Sequence, residues 1–422
     1  MNILVVGGGG REHAIAWRLA QSNKVKKIYV APGNAGTSLE KKITNVPLTS
    51  IKELVAFAIE KAIQMTVVGP EAPLSEGIVD AFIEQGLKIF GPVAAAAQLE
   101  SSKDFAKQFM ANHNIPSGEY RTFTDPESAH TYISKKGAPI VVKADGLAAG
   151  KGVIVAMTES EAHDAVDMML IDNGMGIAGA KVVIEEFLAG EEASFIVMID
   201  GENILPLATS QDHKRLLNND LGPNTGGMGA YSPAPVISPA IHSQVMKEVI
   251  EPVVEGMKAA GTPFVGFLYA GLMIAPDGAI KVLEFNCRLG DPETQPIMMR
   301  LKSDLLTLVD HALTGTLDKI KSEWDQRTAL GVVLAAKDYP QSPRKGDVIT
   351  VKDIDSENVK IFHAGTSKRG EKIVTSGGRV LCVTALAETV GQARDMALKA
   401  GESINFSGKQ FRTDIGNRAI KR

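Results

Sequence analysis

The sequence predicts a mixed α/β and α+β protein. An open parallel α/β sheet comes first, then an α+β middle with a glycine-tipped hairpin, then a β-rich end. Three observations predict this. Apolar runs at 3–6, 27–30, 66–68 and 87–90 alternate with helical stretches at 12–20, 51–62 and 78–85, the pattern of parallel strands joined by crossover helices. From residue 101 strands and helices mix around a turn dense in glycine at 145–152, and after Trp324 strand patterns dominate until a closing helix at 389–404. The 422 residues are too many for one ordinary core, and at roughly 150 residues per domain they suggest two to four. The divisions fall at 1–100, 101–323 with a lid at about 118–190, and 324–422.

Composition excludes several classes. Lys plus Arg is 45 and Asp plus Glu is 49, a net charge of −4, so no global field draws the chain to nucleic acid. No apolar run approaches the roughly 18 residues of a membrane span, and the N-terminus lacks the basic start of a signal peptide. Two cysteines make neither a disulfide framework nor a four-ligand zinc site. A cytoplasmic protein with small-molecule partners, a monomer or small homo-oligomer, is the expectation.

In an open parallel sheet ligands sit at the carboxyl ends of the strands, here the turns 7–11, 31–37, 69–73 and 91–92. Gly7-x-Gly9 precedes a helix, but the third fingerprint position is Glu12 and no acidic residue ends the second strand. Dinucleotide binding is therefore rejected. A phosphate of another kind remains favoured at a helix start carrying four glycines and Arg11.

In the middle region, helices read at 105–113, 127–135 and 159–170 and strands at 120–123, 139–143, 153–156 and 182–187. The turn 143–152 is not a Walker A loop, because Lys151 is followed by Gly152 rather than Ser or Thr. Its glycines and lysines suit a flap that folds N–H groups over polyphosphate. The acidic strand end at 183–192 offers backbone to a purine edge and a carboxylate to ribose hydroxyls, or is simply a charged strand end. Segments 211–215 and 222–231 read as substrate-binding loops or long connections; a long helix reads at 238–259.

At 282–295, period-two alternation places Glu284, Asn286 and Arg288 on one face and Leu283, Phe285 and Cys287 on the other. A carboxylate beside an amide oxygen suits Mg²⁺ carrying phosphates, and Arg288 can grip the same phosphate bidentately. Cys287 reads as core. The histidines show no metal-ligand spacing and no Ser-His-Asp grouping appears. The chemistry is expected to be phosphate handling with Mg²⁺ and without a covalent enzyme intermediate.

In order, Lys103, Lys143 before the flap, Glu-Glu-Phe-Leu at 185–188 and Glu-x-Asn-x-Arg at 284–288 resemble the ATP-grasp ligases. Seven segments resemble, more narrowly, the glycinamide ribonucleotide synthetase family. They are Gly-Gly-Arg-Glu-His-Ala (9–14), Ala-Pro-Gly-Asn (31–34), Gly-Pro-Glu-Ala-Pro-Leu (69–74), the flap (143–152), Gln-Asp-His-Lys-Arg (211–215), Gly-Pro-Asn-Thr-Gly-Gly-Met-Gly-Ala-Tyr (222–231) and Arg-Leu-Gly-Asp-Pro-Glu-Thr-Gln (288–295). The resemblance covers essentially the whole chain. It departs at Cys287, where alanine or valine is more familiar, and at Leu289, where phenylalanine is; neither position is charged.

The resemblance implies an N-terminal sheet domain, a central ATP-grasp with a mobile lid and a C-terminal β-rich domain. It also implies purine biosynthesis: ATP phosphorylates the glycine carboxylate, and 5-phosphoribosylamine attacks the acyl phosphate. By its pattern Lys103 and Lys143 hold phosphates, with Gly150, Lys151 and Gly152 in the flap over them. Glu185, Glu186, Phe187 and Leu188 face adenine and Glu192 the ribose. Glu284 and Asn286 bind Mg²⁺ or Mn²⁺, and Arg288 steadies the phosphoryl group. Asp212 and the loop with Asn224, Gly226 and Gly227 are the glycine candidates. Gly8, Gly9, Gly10, Arg11, Asn34 and Glu71 are the phosphoribosylamine candidates, and Lys214 and Asp291 complete the substrate set. An ATP-grasp ligase with other substrates and a nucleotide-holding regulator are the rival readings.

Overall fold

The structure is a computed structural model and describes residues 1–147, 152–172, 174–352 and 357–422. The first hundred residues form a five-stranded parallel sheet in the order β3-β2-β1-β4-β5. Its strands are β1 (Asn2–Gly7), β2 (Lys27–Pro32), β3 (Ile43–Asn45), β4 (Met65–Val68) and β5 (Ile89–Phe90). β1 is buried on both faces. Ile3 and Val5 enter one core with Ile297, Val333 and Phe362; Leu4 and Val6 enter another with Phe195, Leu268 and Val282. That is why it reads as a continuous apolar run rather than an alternating one. Both cores continue into the rest of the chain, so the first sheet is held against the later domains by shared apolar burial.

The lid packs differently. Its strands β6 (Tyr120–Phe123), β7 (Ile140–Ala144), β8 (Val153–Ala156) and β9 (Val182–Glu186) form an antiparallel sheet in the order β6-β9-β7-β8. Its helices, Pro126–Lys136 and Glu159–Val166, close a separate core around Ile133, Val142, Ala162, Val166 and Ile184. The second helix opens on a capping box between Thr158 and Glu161. β7 and β8 pair out to Lys143 and Val153, which brings both ends of the flap turn to one edge of the sheet.

Behind the lid, Glu191–Asp200, Ile204–Pro206, Val265–Ile274 and Ile280–Asn286 form an antiparallel sheet. The helix expected at 238–259 runs from Pro239 to Ala259 with a wider turn at Met246–Ile250. Pro252 follows that turn, and its ring leaves the carbonyl one turn back without a donor.

The segments 211–215 and 222–231 depart from expectation. Gln211–Asp212 and Gly229–Ser232 are strands of the C-terminal sheet, paired through Thr328–Ala335 to Arg379–Ala387 and Val359–His363. Arg215–Leu217 and Leu221–Asn224 make a hairpin between them. Glycine obscured the strand signal, yet Gly229–Ser232 is buried throughout. The C-terminal sheet thus takes strands from both sides of residue 324, which carries the 213–229 loop into the cleft described below.

At the end of β1 the chain must turn sharply into the helix Gly10–Ala20. Gly7 does this at φ +124°, and a Cβ there would lie 2.4 Å from Glu12 Cγ and 2.9 Å from Pro70 Cδ. Replacing Gly7 with alanine should cost about 2–4 kcal/mol through backbone strain and overpacking. Urea denaturation followed by circular dichroism checks this; an unchanged midpoint would contradict the packing described.

Candidate active site

A cleft of about 840 Å³ opens between the lid, the central sheet and the two outer domains. The strand Ile280–Asn286 forms one wall. Its register against Val265–Ile274 shifts between Gly271 and Leu272, and such a bulge re-aims side chains. This corrects the simple alternation: Val282, Phe285 and Cys287 enter the core, whereas Leu283 lines the cleft instead of joining them. Burial pushes the Cys287 thiol well up, as suits a core residue. Glu284 and Asn286 stay together, Asn286 Nδ2 donating to Glu284 Oε1 at 3.4 Å. Burial alone would raise the Glu284 carboxyl, but Lys214, Lys143 and Lys103 hold it below its ordinary range. Among the described residues no group of three or more His, Cys, Asp or Glu could hold a metal ion. The side-chain oxygens of Glu284 and Asn286 are hard donors, the type that suits a divalent cation carrying phosphate.

Lys103 starts the helix Lys103–Asn112, capped by Ser102, and its Nζ donates to the carbonyls of Asp145 (3.4 Å) and Gly146 (3.0 Å) at the flap. Burial lowers its pKa, with Glu284 opposing. Lys143 Nζ lies 2.9 Å from Glu185 Oε1 and donates to Leu283 O at 3.1 Å. Lys107, one helical turn beyond Lys103, sits 2.8 Å from Glu185 Oε2. The Glu185 side chain thus bridges two buried lysines, a role beyond the backbone contact expected of it. The i, i+4 spacing of Lys103 and Lys107 is the signal that could have revealed Lys107. Glu186 pairs with Lys281 at 2.8 Å, and Phe187 and Leu188 line the cleft. Gly152 lines it too, its carbonyl accepting the Ala144 N–H at 2.8 Å. Gly150 and Lys151 lie outside the described residues.

Deeper in, Lys214 Nζ lies 3.0 Å from Glu192 Oε1 and 3.5 Å from Asp212 Oδ2. Burial raises both carboxyls against the pull of Lys214. Asp212 is pushed up to about 6, with Glu293 and Glu284 adding to the effect. Glu293, absent from the sequence-based set, accepts from Ser194 Oγ at 3.1 Å. His213, between Asp212 and Lys214, accepts the Gly416 N–H at Nε2 (3.2 Å), so its proton sits on Nδ1, which is buried without a partner among the described residues.

The first-domain residues divide between this cleft and a neighbouring hollow of about 370 Å³. Arg11, Glu71 and Arg288 line the cleft: Glu71 lies 3.8 Å from Arg11 and 3.3 Å from Arg288. Gly8, Gly9 and Asn34 line the hollow with Thr366, Ser376 and Arg379 of the last domain. Glu12 Oε2 accepts the Gly9 N–H at 2.6 Å and Asp291 Oδ2 the Arg11 N–H at 3.4 Å, so much of the helix start is capped internally. Glu12 takes the N–H that a dinucleotide pyrophosphate would use. The Asn34 amide is fully engaged: it donates to Gly8 O and His363 O and accepts from Gly36 and Thr37. Gly10 lies against Gln295 and Asp291. Asp291 joins cleft and hollow beside Arg379, which also donates to Gly226 O at 2.6 Å. Asn224 and Gly226 line the cleft. Gly227 does not: its φ of +116° and Pro292, 2.4 Å from where a Cβ would lie, give it a packing role.

Residues 1–100, 101–294 and 329–418 match, in turn, the N domain, the ATP-grasp (A) domain and the C domain of phosphoribosylglycinamide synthetase. The chain is 61% identical over 422 residues to the phosphoribosylamine–glycine ligase of Ralstonia nicotianae, covering 100% of both. It is 62% identical over 425 residues to that of Haemophilus influenzae, covering 100% of this chain and 99% of the relative. The crystal structure of phosphoribosylamine–glycine ligase from Thermotoga maritima superposes with a TM-score of 0.86 at 36% identity, over 98% of this chain and 100% of that one. A biotin carboxylase from Campylobacter jejuni reaches 0.74 at 15% identity, over 100% of this chain and 95% of that one, a likeness of fold alone.

Two buried histidines, His213 and His363, give the fold a pH signature. Burial, with Arg412 adding, lowers His213 to about 4; burial, with His13 and Lys360, lowers His363 to about 3. Both fold neutral while the unfolded side chains titrate near 6.5. Their contribution is therefore complete above pH 6.5 and is lost as pH falls, at about 1.4 kcal/mol per unit for each histidine. Urea midpoints should drop between pH 7 and pH 5, and His213→Gln should flatten that dependence. An equal slope in the variant would contradict the assignment.

Proposed function

The chain belongs to the phosphoribosylglycinamide synthetase family, and on that premise we propose that it joins glycine to 5-phosphoribosylamine at the expense of ATP. The products are glycinamide ribonucleotide, ADP and phosphate, a step of purine biosynthesis. The observation that carries the reading is convergence: Glu284, Asn286, Lys103, Lys143 and Arg288, scattered over nearly two hundred residues of sequence, face one cleft.

A carboxylate is a poor acylating agent until one oxygen leaves as phosphate, so the glycine carboxylate first attacks the γ-phosphorus of ATP. Lys103 and Lys143 receive the nucleotide phosphates, and Arg288 steadies the group in transfer. Glu186, Phe187 and Leu188 border the adenine, and Glu192 reaches the ribose. Glu284 and Asn286 would hold Mg²⁺ or Mn²⁺, whose chemistry there would be to neutralise charge on the phosphates. Asp212, with the loop at Asn224 and Gly226, bounds the small space for glycine; Lys214 holds the Asp212 carboxylate. The amine of phosphoribosylamine then displaces phosphate from glycyl phosphate. Its 5-phosphate suits the hollow at Gly8 and Gly9, where Arg379 supplies a cation in place of the capped helix start. The lid, which carries the flap, excludes water from the acyl phosphate, and its separate core supports a lid that hinges as a unit.

The proposed partition is 1–100 for the amine, 101–323 for the ATP-grasp with its lid at about 118–190, and 324–422 for the closing domain. The chain is proposed to act as a monomer or small homo-oligomer. Two free, buried cysteines suit a cytoplasmic setting. Among the described residues no helix is long and apolar enough to cross a membrane.

ADP release should require glycine, phosphoribosylamine and a divalent ion together, and Glu284→Ala should abolish it without lowering the thermal midpoint. Alanine should be a far poorer substrate, because a space fitted to glycine would leave an added methyl to clash. Equal turnover with alanine, or full activity in Glu284→Ala, would overturn the assignment.

A further inference from the structure

Glu100 lies in the last turn of the helix Ala94–Ser101, whose other side chains are mostly alanine, and its side chain is 8% exposed. Oε1 lies 2.8 Å from Arg288 NH2, and Oε2 accepts the Cys287 N–H at 2.7 Å. We propose that Glu100 is the positioning residue for Arg288, fixing both the backbone that leads into it and the plane of its guanidinium before ligand arrives. The inference rests on the ligase reading, in which Arg288 steadies the transferred phosphoryl group.

The strand Ile280–Asn286 ends at the pair Asn286–Tyr269, and Cys287 and Arg288 lie just beyond it. Glu100 takes over there, accepting the first N–H beyond the ladder. The remaining guanidinium contacts are looser: Arg288 Nε lies 3.3 Å from Glu71, and NH1 donates to Leu289 O at 3.2 Å. Glu71 is more exposed and is shared with Arg11, which leaves Glu100 as the closer and more buried of these two carboxylate partners. Two donors converge on Glu100, and only a carboxylate offers each an acceptor oxygen; an amide would turn its NH₂ toward one of them. Burial raises the Glu100 carboxyl, Glu71 adds to the rise, and the Arg288 guanidinium beside it opposes. A fork meant to grip phosphoryl oxygens bidentately must be held in one plane, and this arrangement does so.

The test is steady-state kinetics on full-length Glu100→Gln, Arg288→Ala and the double variant, with thermal midpoints to confirm folding. Glu100→Gln should lower kcat on the order of 10²-fold, as misplaced catalytic groups do, while KM for ATP stays within about twofold because ground-state binding is not the function lost. The double variant should be no slower than Arg288→Ala alone, since Glu100 acts through the arginine. A wild-type kcat in Glu100→Gln, or losses that multiply in the double variant, would overturn the proposal. Should Glu100→Gln not fold, Glu100→Asp keeps the charge but is one methylene short of spanning both donors. Its kcat should also fall, and wild-type turnover would be equally fatal. Wild-type enzyme that releases no ADP with glycine and phosphoribosylamine would instead refute the ligase reading itself.

Discussion

Charge carried into a cleft of low dielectric must be paired, and the rest of this structure follows from how that pairing is arranged. Glu185 lies between Lys107 and Lys143, Lys214 between Glu192 and Asp212, Arg288 between Glu71 and Glu100, and Arg379 beside Asp291. An unpaired buried charge would cost several kcal/mol. Several partners lie far apart in sequence, so the domains must meet for the charges to be satisfied. Arg288 of the central sheet depends on carboxylates from the first hundred residues, and Arg379 of the last domain depends on Asp291. Shared apolar cores hold the same domains together, so burial and pairing specify one arrangement.

The same pairs prepare the cleft for its ligands. Each lysine that would meet phosphate already rests on an internal acceptor: Lys143 on Glu185 and Leu283 O, Lys103 on the flap carbonyls. On the proposed reading, nucleotide phosphates would exchange one set of acceptors for another. With the lid over it, such a site strengthens every remaining electrostatic contact. The separate lid core lets cover and platform be built as different bodies.

Much of this was legible in the sequence. The first sheet announced itself because buried parallel strands are unbroken apolar runs, and Glu284 and Asn286 because a strand's alternation keeps them together. What escaped reading depends on contacts across the chain. The bulge that turns Leu283 into the cleft is set by the neighbouring strand. The strands Gln211–Asp212 and Gly229–Ser232 exist only because Thr328–Ala335 is there to pair with them. Glu100 and Arg379 carry no local motif; their roles appear when Cys287, Arg288 and Asp291 are brought beside them. Asn34 and Gly227 show the reverse case, residues inside recognisable motifs whose observed contacts are within the protein.

The central claim is that this cleft converts a carboxylate into an acyl phosphate. The most direct measurement is turnover with glycine labelled with ¹⁸O in its carboxylate, followed by mass analysis of the released phosphate. The account requires one labelled oxygen to pass from glycine to phosphate in each turnover, because the bond broken in the second step is the one between the acyl carbon and that oxygen. Phosphate released without label, while amide accumulates, would contradict it.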